Sequence, residues 1–186
     1  MKLIVAVTGA SGVSLALKFI KYIPKDIKLF VVFSNSAKLS LKLESNIALP
    51  NSENIIYYDN KSIDASISSG SFGVDAMIVI PCSANSLAKF AVGIADNLIS
   101  RVFAVSLKEN RKIVIVPREM PYSLLFLKNM TKLSKMGVVV APPVLAYYSG
   151  QKTIEDMERF MIGRWMDMLN IKNSLYKRWS DEKSDI

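Results

Sequence analysis

The run Ile113-Val114-Ile115-Val116 restricts the fold more than any other stretch of this chain. Four consecutive β-branched apolar residues are typical of a strand buried on both faces, as in the middle of a parallel sheet covered by helices. The run ends in Pro117-Arg118-Glu119-Met120-Pro121, a charged pair held between two prolines. Ligands of open α/β sheets bind beyond the carboxyl ends of the strands. This strand end therefore indicates either a binding site or a surface salt bridge, and position alone favours neither.

Short apolar runs alternate with segments of helical periodicity along the rest of the chain, which is the pattern of βαβ units. The pattern predicts an α/β fold with a mostly parallel sheet flanked by helices. Strands are predicted at 3–7, 29–33, 76–80, 113–116 and 138–140, with a weaker one at 55–58. Helices are predicted at 13–23, 37–45, 86–92, 97–108, 123–135 and 154–169.

The length of 186 residues suits one domain, and 51% apolar residues are enough for a core. We expect a single domain over residues 1–171 and a polar tail over 172–186, either frayed or packed on a neighbouring subunit. The apolar opening stretch is interrupted by Thr8-Gly9, well short of a signal peptide or a membrane span. The sequence therefore predicts a cytoplasmic protein without a membrane segment.

The net charge of +8 favours anionic partners, but the basic residues are scattered, so a nucleic-acid surface is not expected. The chain has no histidine, which removes the commonest general base and the commonest metal ligand. Its single cysteine, Cys82, excludes an intramolecular disulfide and a cysteine-based metal site. Chemistry in this chain is therefore expected to use carboxylates, hydroxyls, Lys, Tyr or a cofactor.

Glycines and short polar residues follow the first two predicted strands. Thr8-Gly9-Ala10-Ser11-Gly12 opens a helix, where backbone N–H groups can bind an anion and Gly allows close approach. The second strand ends in Ser34-Asn35-Ser36, whereas a dinucleotide fold would place Asp or Glu there for the adenosine ribose. These neutral hydroxyls suit phosphate or a ribityl chain, so the pattern favours FMN over NAD. An ordinary βα turn with N-caps is the alternative.

A third polar strand end follows residue 80, in Ser83-Ala84-Asn85-Ser86. These residues could serve only as N-caps, but three polar strand ends at one sheet edge favour a shared crevice. Further along, Asp96-Asn97 caps a helix on which Arg101 and Lys108 lie on nearly the same face. Such charges usually face solvent, and they matter here only if a phosphate binds nearby.

Nine short motifs occur in order over about residues 1–171. They are Thr8-Gly9-Ala10-Ser11-Gly12, Ser69-Gly70-Ser71-Phe72, Pro81-Cys82-Ser83, Gly93-x-x-Asp96-Asn97-Leu98-x-x-Arg101, Leu107-Lys108-Glu109, Val116-Pro117-Arg118-Glu119-x-Pro121, Asn129-Met130, Pro142-Pro143-Val144-x-Ala146-Tyr147-Tyr148 and Gly163-Arg164. Together they resemble the UbiX family of flavin prenyltransferases.

The resemblance implies a three-layer, flavodoxin-like or Rossmann-like domain with helices on both faces of the sheet. It further implies a metal-independent transferase that joins a dimethylallyl group from dimethylallyl phosphate to N5 and C6 of reduced FMN. It also implies a homododecamer whose product, prenylated FMN, serves UbiD-type decarboxylases. An allylic cation must form in a dry site while fixed positive charge holds the departing phosphate. This requirement agrees with a site built without histidine or metal.

Residue roles follow from the same resemblance. FMN is expected to contact Gly9, Ala10, Ser11, Ser34, Ser83, Ala84, Asn85, Ser86, Arg101 and Arg118, with Ser11 near N5. The donor phosphate is expected to bind Lys108, Tyr148 and Arg164, together with Glu119, which protonates it as it leaves. Glu44 matches an acidic position that assists proton transfer. Each of Glu44, Tyr148 and Arg164 also has a plain structural interpretation, as a solvated helix residue, a core-edge aromatic and a helix-face charge.

Two departures from the family pattern concern the donor site. Ile63 stands where some relatives carry an aromatic residue, and Ser149 stands where many carry His. Two other classes of protein are alternatives. Cysteine decarboxylases of the same fold depend on a histidine that this chain lacks, and an FMN-binding redox module would not require Lys108, Glu119, Tyr148 and Arg164 together.

Overall fold

The computed structural model describes residues 1–44 and 47–179. Ser45, the last residue of the second predicted helix, and residues 180–186 of the predicted tail lie outside this part. Contacts between Cα atoms divide the chain into a first unit, Met1–Pro142, and a second unit, Pro143–Ile186. The boundary predicted at residue 171 stays a prediction.

The first unit is built on a six-stranded sheet in which every strand pair is parallel. Its strand order is β3-β2-β1-β4-β5-β6. The predicted α/β class and all the predicted strands are confirmed. The strands are β1 (Lys2–Val7), β2 (Lys28–Phe33), β3 (Ile55–Asp59), β4 (Ala76–Cys82), β5 (Lys112–Pro117) and β6 (Val139–Val140).

Each predicted helix is present, with ends that differ by at most two residues over the described part of the chain. The helices are α1 (Val13–Tyr22), α2 (Asn35–Glu44), α3 (Ala84–Val92), α4 (Leu98–Lys108), α5 (Leu124–Lys135) and α6 (Ile154–Met168). Two short 3₁₀ turns, Ser66–Ser68 and Gly70–Phe72, precede β4.

The central strands are buried on both faces, as the runs of β-branched and apolar residues predict. One face packs alternate strand residues such as Ile4, Phe30, Met77 and Ile115 against apolar side chains of α3, α4 and α5. The chain runs outward from β1 to β3, crosses back to β4 and continues to β6. Because parallel crossovers are right-handed, these two directions place their helices on opposite faces of the sheet.

Strand β4 continues through Pro81 to Cys82, two residues beyond its predicted end at Ile80. Proline cannot donate to a strand ladder, which is why the sequence pattern ends the strand early. The Pro81 carbonyl still accepts a hydrogen bond from the Thr8 N–H at 3.2 Å. The Cys82 carbonyl accepts one from the Arg118 N–H at 3.4 Å. The extension carries the end of β4 toward the residues that follow β1 and β5.

Successive strands are added toward one edge of the sheet from β1 to β3 and toward the other edge from β4 to β6. The point between β1 and β4 where this direction changes positions the candidate site. In open parallel sheets, ligands bind where neighbouring strands send their connections to opposite faces, at the carboxyl ends. Strands β1 and β4 are paired from Leu3 with Ala76 to Ala6 with Val79. The residues after Val7 and after Cys82 therefore border a crevice.

The second unit contains α6 and a following segment that folds back along it. Thr153 caps the helix, since its side chain accepts the Asp156 N–H at 3.1 Å while Asp156 accepts the Thr153 N–H at 3.0 Å. Asn173 donates to the Gly163 carbonyl at 3.2 Å. A Cβ on Gly163 would lie 2.5 Å from a ring carbon of Tyr176, so only glycine allows this approach.

Candidate active site

A cavity of about 280 Å³ lies at the carboxyl edge of the sheet in the first unit. It collects residues that follow β1, β2, β3, β4 and β5, as expected for parallel strands that end at one edge. The lining consists of Gly9, Ala10, Ser34, Ser36, Asn60, Ser83, Ala84, Asn85, Ser86, Lys89, Phe90, Asn97, Ile99, Ser100, Arg118 and Glu119.

Thr8 joins the ends of β1 and β4 at the base of the cavity. Its side chain is buried, and its hydroxyl donates to the Pro81 carbonyl at 2.8 Å. The same oxygen accepts the Ser83 N–H at 2.7 Å. This hydroxyl sets where α3 begins relative to the glycine turn. The sequence marks Thr8 only as part of a motif and does not indicate this link.

Gly9 allows the start of α2 to approach the turn after β1. A Cβ at this position would overlap the Cβ of Ser36, and it would lie 3.1 Å from the Ser36 carbonyl carbon. Gly12 adopts a φ of 98°, in the left-handed region that favours glycine. The turn therefore requires glycine at two positions. Gly9 leaves space for the start of α2, and Gly12 adopts the left-handed backbone conformation.

Serine hydroxyls occupy the helix starts that face the cavity. Ser83 caps α3, since its side chain accepts the Ser86 N–H at 3.3 Å, and its hydroxyl also donates to the Ser86 hydroxyl at 3.1 Å. Ser34 likewise accepts the Ala37 N–H at 3.0 Å. The predicted N-caps are thus present, and the same residues line the cavity. Helix starts of this kind favour an anion through their N–H groups and dipole.

Arg118 and Glu119 follow β5 into the cavity, and both are exposed. The Glu119 carboxylate accepts the Met120 N–H at 3.2 Å. Among residues 1–44 and 47–179 no ion pair joins Arg118 to Glu119, so the interpretation of this strand end as a salt bridge is not supported. Both charged groups remain available to a bound molecule.

A polar part of the lining comes from Asn60, Lys89, Asn97 and Ser100, which the sequence pattern does not assign to the site. Lys89 pairs with Asp96 at 2.6 Å, and this hydrogen bond holds the pKa of Asp96 below its usual range. The only sequence signal for Lys89 is its spacing of three residues from Ser86 on α3, which places both on one helix face.

Three other predicted residues lie outside the lining. Ser11 and Glu44 are exposed, and the Glu44 carboxylate accepts the N–H groups of Gly12 at 3.0 Å and Val13 at 3.2 Å. Glu44 therefore neutralises the start of α1, where the helix dipole favours negative charge. Arg101 is exposed on α4.

Lys108 lies at the end of α4, beside the turn that contains Gly70. It forms an ion pair with Glu109, and the hydrogen bond in this pair lowers the pKa of Glu109. Arg111 donates to the Gly70 carbonyl at 2.5 Å. A Cβ on Gly70 would overlap the Glu109 carboxylate and lie 3.1 Å from the Lys108 ammonium nitrogen, so the glycine turn lies directly against this ion pair.

Tyr148 and Arg164 belong to the second unit. The Tyr148 ring packs edge to face against Phe160 and Trp179, each with a centroid separation of 5.7 Å. Arg164 donates to the Tyr176 hydroxyl at 3.4 Å and lies 3.6 Å from the Asp167 carboxylate. The side chain of Arg164 is 47% exposed, so it is accessible to a ligand.

Two kinds of feature are absent from the part of the chain that the structure describes. No group of three or more His, Cys, Asp or Glu residues could hold a metal ion there. No helix in that part is long and apolar enough to cross a membrane.

Comparisons with known proteins give one consistent result. A family model described as Flavoprotein matches residues 1–166. The flavin prenyltransferase UbiX of Helicobacter pylori is 45% identical over 184 residues, covering 96% of this chain and 98% of the relative. The flavin prenyltransferase UbiX of Methanocaldococcus jannaschii is 42% identical over 181 residues, with coverages of 96% and 98%.

Solved structures extend the comparison. A dodecameric FMN-dependent UbiX-like decarboxylase from Escherichia coli O157:H7 has a TM-score of 0.90 and 38% identity, covering 97% of this chain and all of that chain. AnUbiX (PadA1) in complex with FMN and dimethylallyl pyrophosphate has a TM-score of 0.91 and 34% identity, covering 98% of both chains. A PPC decarboxylase at 20% identity and a TM-score of 0.60 shares the fold alone.

Proposed function

The chain belongs to the UbiX family of flavin prenyltransferases, and from this premise we propose that it joins a dimethylallyl group to reduced FMN. The donor is dimethylallyl phosphate and the product is prenylated FMN. The similarity to a structure that holds FMN and dimethylallyl pyrophosphate supports FMN and a dimethylallyl donor. Relatives named as prenyltransferases favour this function over a redox module without prenyl transfer.

The cavity of the first unit is the observation that carries the proposal, because its residues fit a flavin mononucleotide. Its volume of about 280 Å³ is close to the lower end of the range for ligand pockets, roughly 300–1,000 Å³. Ser34, Ser36, Ser83 and Ser86 supply neutral hydroxyls for a ribityl chain and a phosphate. Arg118 supplies a positive charge at the same edge.

The assignment of residues to the flavin is part of the proposal. The residues are Gly9, Ala10, Ser11, Ser34, Ser83, Ala84, Asn85, Ser86, Arg101 and Arg118. Eight of them line the cavity, whereas Ser11 and Arg101 lie outside its lining and are assigned from the resemblance alone. When bound, reduced FMN would supply N5 and C6, the atoms that take up the dimethylallyl group.

Four residues are proposed to handle the donor. Lys108, Tyr148 and Arg164 bind its phosphate, because two cations and a hydroxyl stabilise the negative charge that grows as the C–O bond breaks. Glu119 hydrogen-bonds to the phosphate and transfers a proton to it as it leaves. Among the described residues, the Glu119 carboxylate accepts a hydrogen bond only from the Met120 N–H, so no cationic side chain of this part of the chain is paired with it.

Ser11 and Glu44 are proposed to assist the proton steps near the flavin. Glu44 accepts the N–H groups of Gly12 and Val13 and so is held beside the turn that contains Ser11. A carboxylate in this position can accept or return a proton through the Ser11 hydroxyl. The contact of Glu44 with the helix start keeps the carboxylate oriented while it does so.

The proposal extends to the partners of the enzyme. The dodecameric relative supports a homododecamer. Prenylated FMN is proposed to pass to a UbiD-type decarboxylase in the cytoplasm. No nucleic-acid or membrane partner is proposed.

An anaerobic turnover experiment tests the function. Purified protein is incubated with reduced FMN and dimethylallyl phosphate, and the flavin is analysed by mass spectrometry. We expect a flavin heavier by one dimethylallyl unit, and no such product with oxidised FMN or without the donor. An unchanged flavin mass while both substrates are bound would refute prenyl transfer and favour a flavin-binding redox module.

A further inference from the structure

Asp167 is the centre of a hydrogen-bonded cluster between α6 and the segment that follows it. Arg178 donates to both carboxylate oxygens, at 2.7 and 3.1 Å. Asn173 donates to one of them at 2.9 Å, and the Tyr176 hydroxyl donates to the other. Paired donors of this kind make the strongest carboxylate contacts that arginine forms. Asp167 is therefore committed mainly to Arg178.

Arg164 lies in the same cluster but is held more weakly. It stands three residues before Asp167 on α6, so the two side chains occupy the same helix face. Even so, its nearest nitrogen is 3.6 Å from the carboxylate and 3.4 Å from the Tyr176 hydroxyl. A pair with this spacing commonly closes to a direct salt bridge, and here Arg178 occupies the carboxylate instead.

The charges of the cluster leave one positive charge in excess, since two arginines share one carboxylate. Burial alone would raise the pKa of Asp167, but hydrogen bonds from Arg178, Tyr176 and Asn173 hold this pKa below its usual range. Asp167 is therefore ionised at neutral pH. If its charge were not matched by Arg178, it would be matched by Arg164, one helical turn away.

We propose that Arg178 keeps Arg164 available to the phosphate of the prenyl donor by occupying Asp167. The inference rests on the proposed function, in which Arg164 binds that phosphate. Arg178 is a positioning residue, because it acts through Asp167 and not through contact with a substrate. Without it, Asp167 turns to Arg164 and competes with the donor for the guanidinium.

The test measures donor affinity in a set of variants of the full chain. Arg178→Gln is expected to raise the Kd for dimethylallyl phosphate roughly fivefold, the upper end of what a partly exposed ion pair contributes. The kcat at saturating donor and the affinity for FMN are expected to stay unchanged. Lys177→Gln removes the same charge from the neighbouring exposed position and is expected to leave the Kd unchanged.

A second variant separates positioning from a structural role. In Asp167→Asn/Arg178→Gln the competing carboxylate is gone, so donor affinity is expected to return to that of the wild type. A purely structural role predicts the reverse, since removing both partners would loosen the segment further. Thermal unfolding of each variant, at equal protein concentration, reports the folded state independently.

The results that overturn the inference differ from those that overturn the proposed function. A wild type that transfers the prenyl group, with equal donor Kd in Arg178→Gln, contradicts this inference alone. A double variant that binds the donor as weakly as Arg178→Gln does the same. A wild type that binds no donor and leaves FMN unchanged overturns the proposed function and this inference with it.

Discussion

Replacing Thr8 by Val tests the link between β1 and β4 on which the cavity is built. The substitution keeps the shape of the buried side chain and removes its hydroxyl. The Pro81 carbonyl loses a bond of 2.8 Å but keeps the Thr8 N–H, whereas the Ser83 N–H loses its 2.7 Å acceptor. Each lost bond contributes about 1 kcal/mol, and the part-buried Ser83 N–H left without a partner adds up to about as much again.

We therefore expect Thr8→Val to lower the free energy of unfolding by roughly 2–3 kcal/mol. In a chain of this length such a loss lowers Tm by about 2–4 °C per kcal/mol. Urea unfolding followed by circular dichroism measures the free energy. All variants are compared at one protein concentration, since assembly contributes to apparent stability. FMN affinity is also expected to fall, because Ser83 caps α3 at the cavity.

Two substitutions serve as controls. Thr131→Val makes the same chemical change on the exposed face of α5, where the hydroxyl donates only to the Leu127 carbonyl one turn earlier. We expect a change within about 0.5 kcal/mol there. Thr8→Ser keeps the hydroxyl and loses one methyl group, so most of the stability and the FMN affinity should remain. If Thr8→Val and Thr131→Val destabilise equally, the Thr8 hydroxyl does not stabilise the junction of the two strands.

Three further outcomes are expected. Gly9→Ala should weaken FMN binding at least tenfold, because the new Cβ overlaps the Cβ of Ser36. Adding Ser36→Gly to this variant should restore much of the lost affinity. Fluorescence titration with FMN measures both variants, and full affinity in Gly9→Ala would contradict the close approach. Glu119→Gln should lower kcat far more than donor affinity, and an equal loss in both from single-turnover kinetics would contradict proton transfer to the leaving phosphate. The lowered pKa of Asp167 contributes stability that is fully present above its unfolded pKa of about 4 and is lost as pH falls through its folded pKa. Acid unfolding of Asp167→Asn should therefore show a smaller loss of stability below pH ~4 than the wild type, and identical profiles would exclude this contribution.

Part of the candidate site could be predicted because parallel strands end at one edge of a sheet. The polar residues after Val7, Phe33 and Cys82 were expected to share a crevice, and the structure places Gly9, Ser34 and Ser83 in one cavity. Local sequence was sufficient here, since β-branched runs define the strands and the residues beyond them follow automatically.

Other lining residues could not be predicted in this way. Asn60 follows an edge strand, and Lys89 and Ser100 lie on two helices that meet only after folding. Nothing local distinguishes Lys89 from an ordinary solvated lysine, because its position at the cavity depends on how α3 packs. The role of Thr8 depends equally on a partner 75 residues away, the Ser83 N–H.

The sequence by itself determined which segments are strands and which are helices, that the sheet is mostly parallel, and that hydroxyl-bearing residues follow its strand ends. These features depend on periodicity and on turn residues close together in the chain. Only the tertiary structure decided which charges are free. Glu119 is left without a cationic partner among the described residues, and Arg178 takes the carboxylate that the helix spacing alone would assign to Arg164. Arg178 lies 2.7 Å from the Asp167 carboxylate and Arg164 lies 3.6 Å from it, and packing sets both distances.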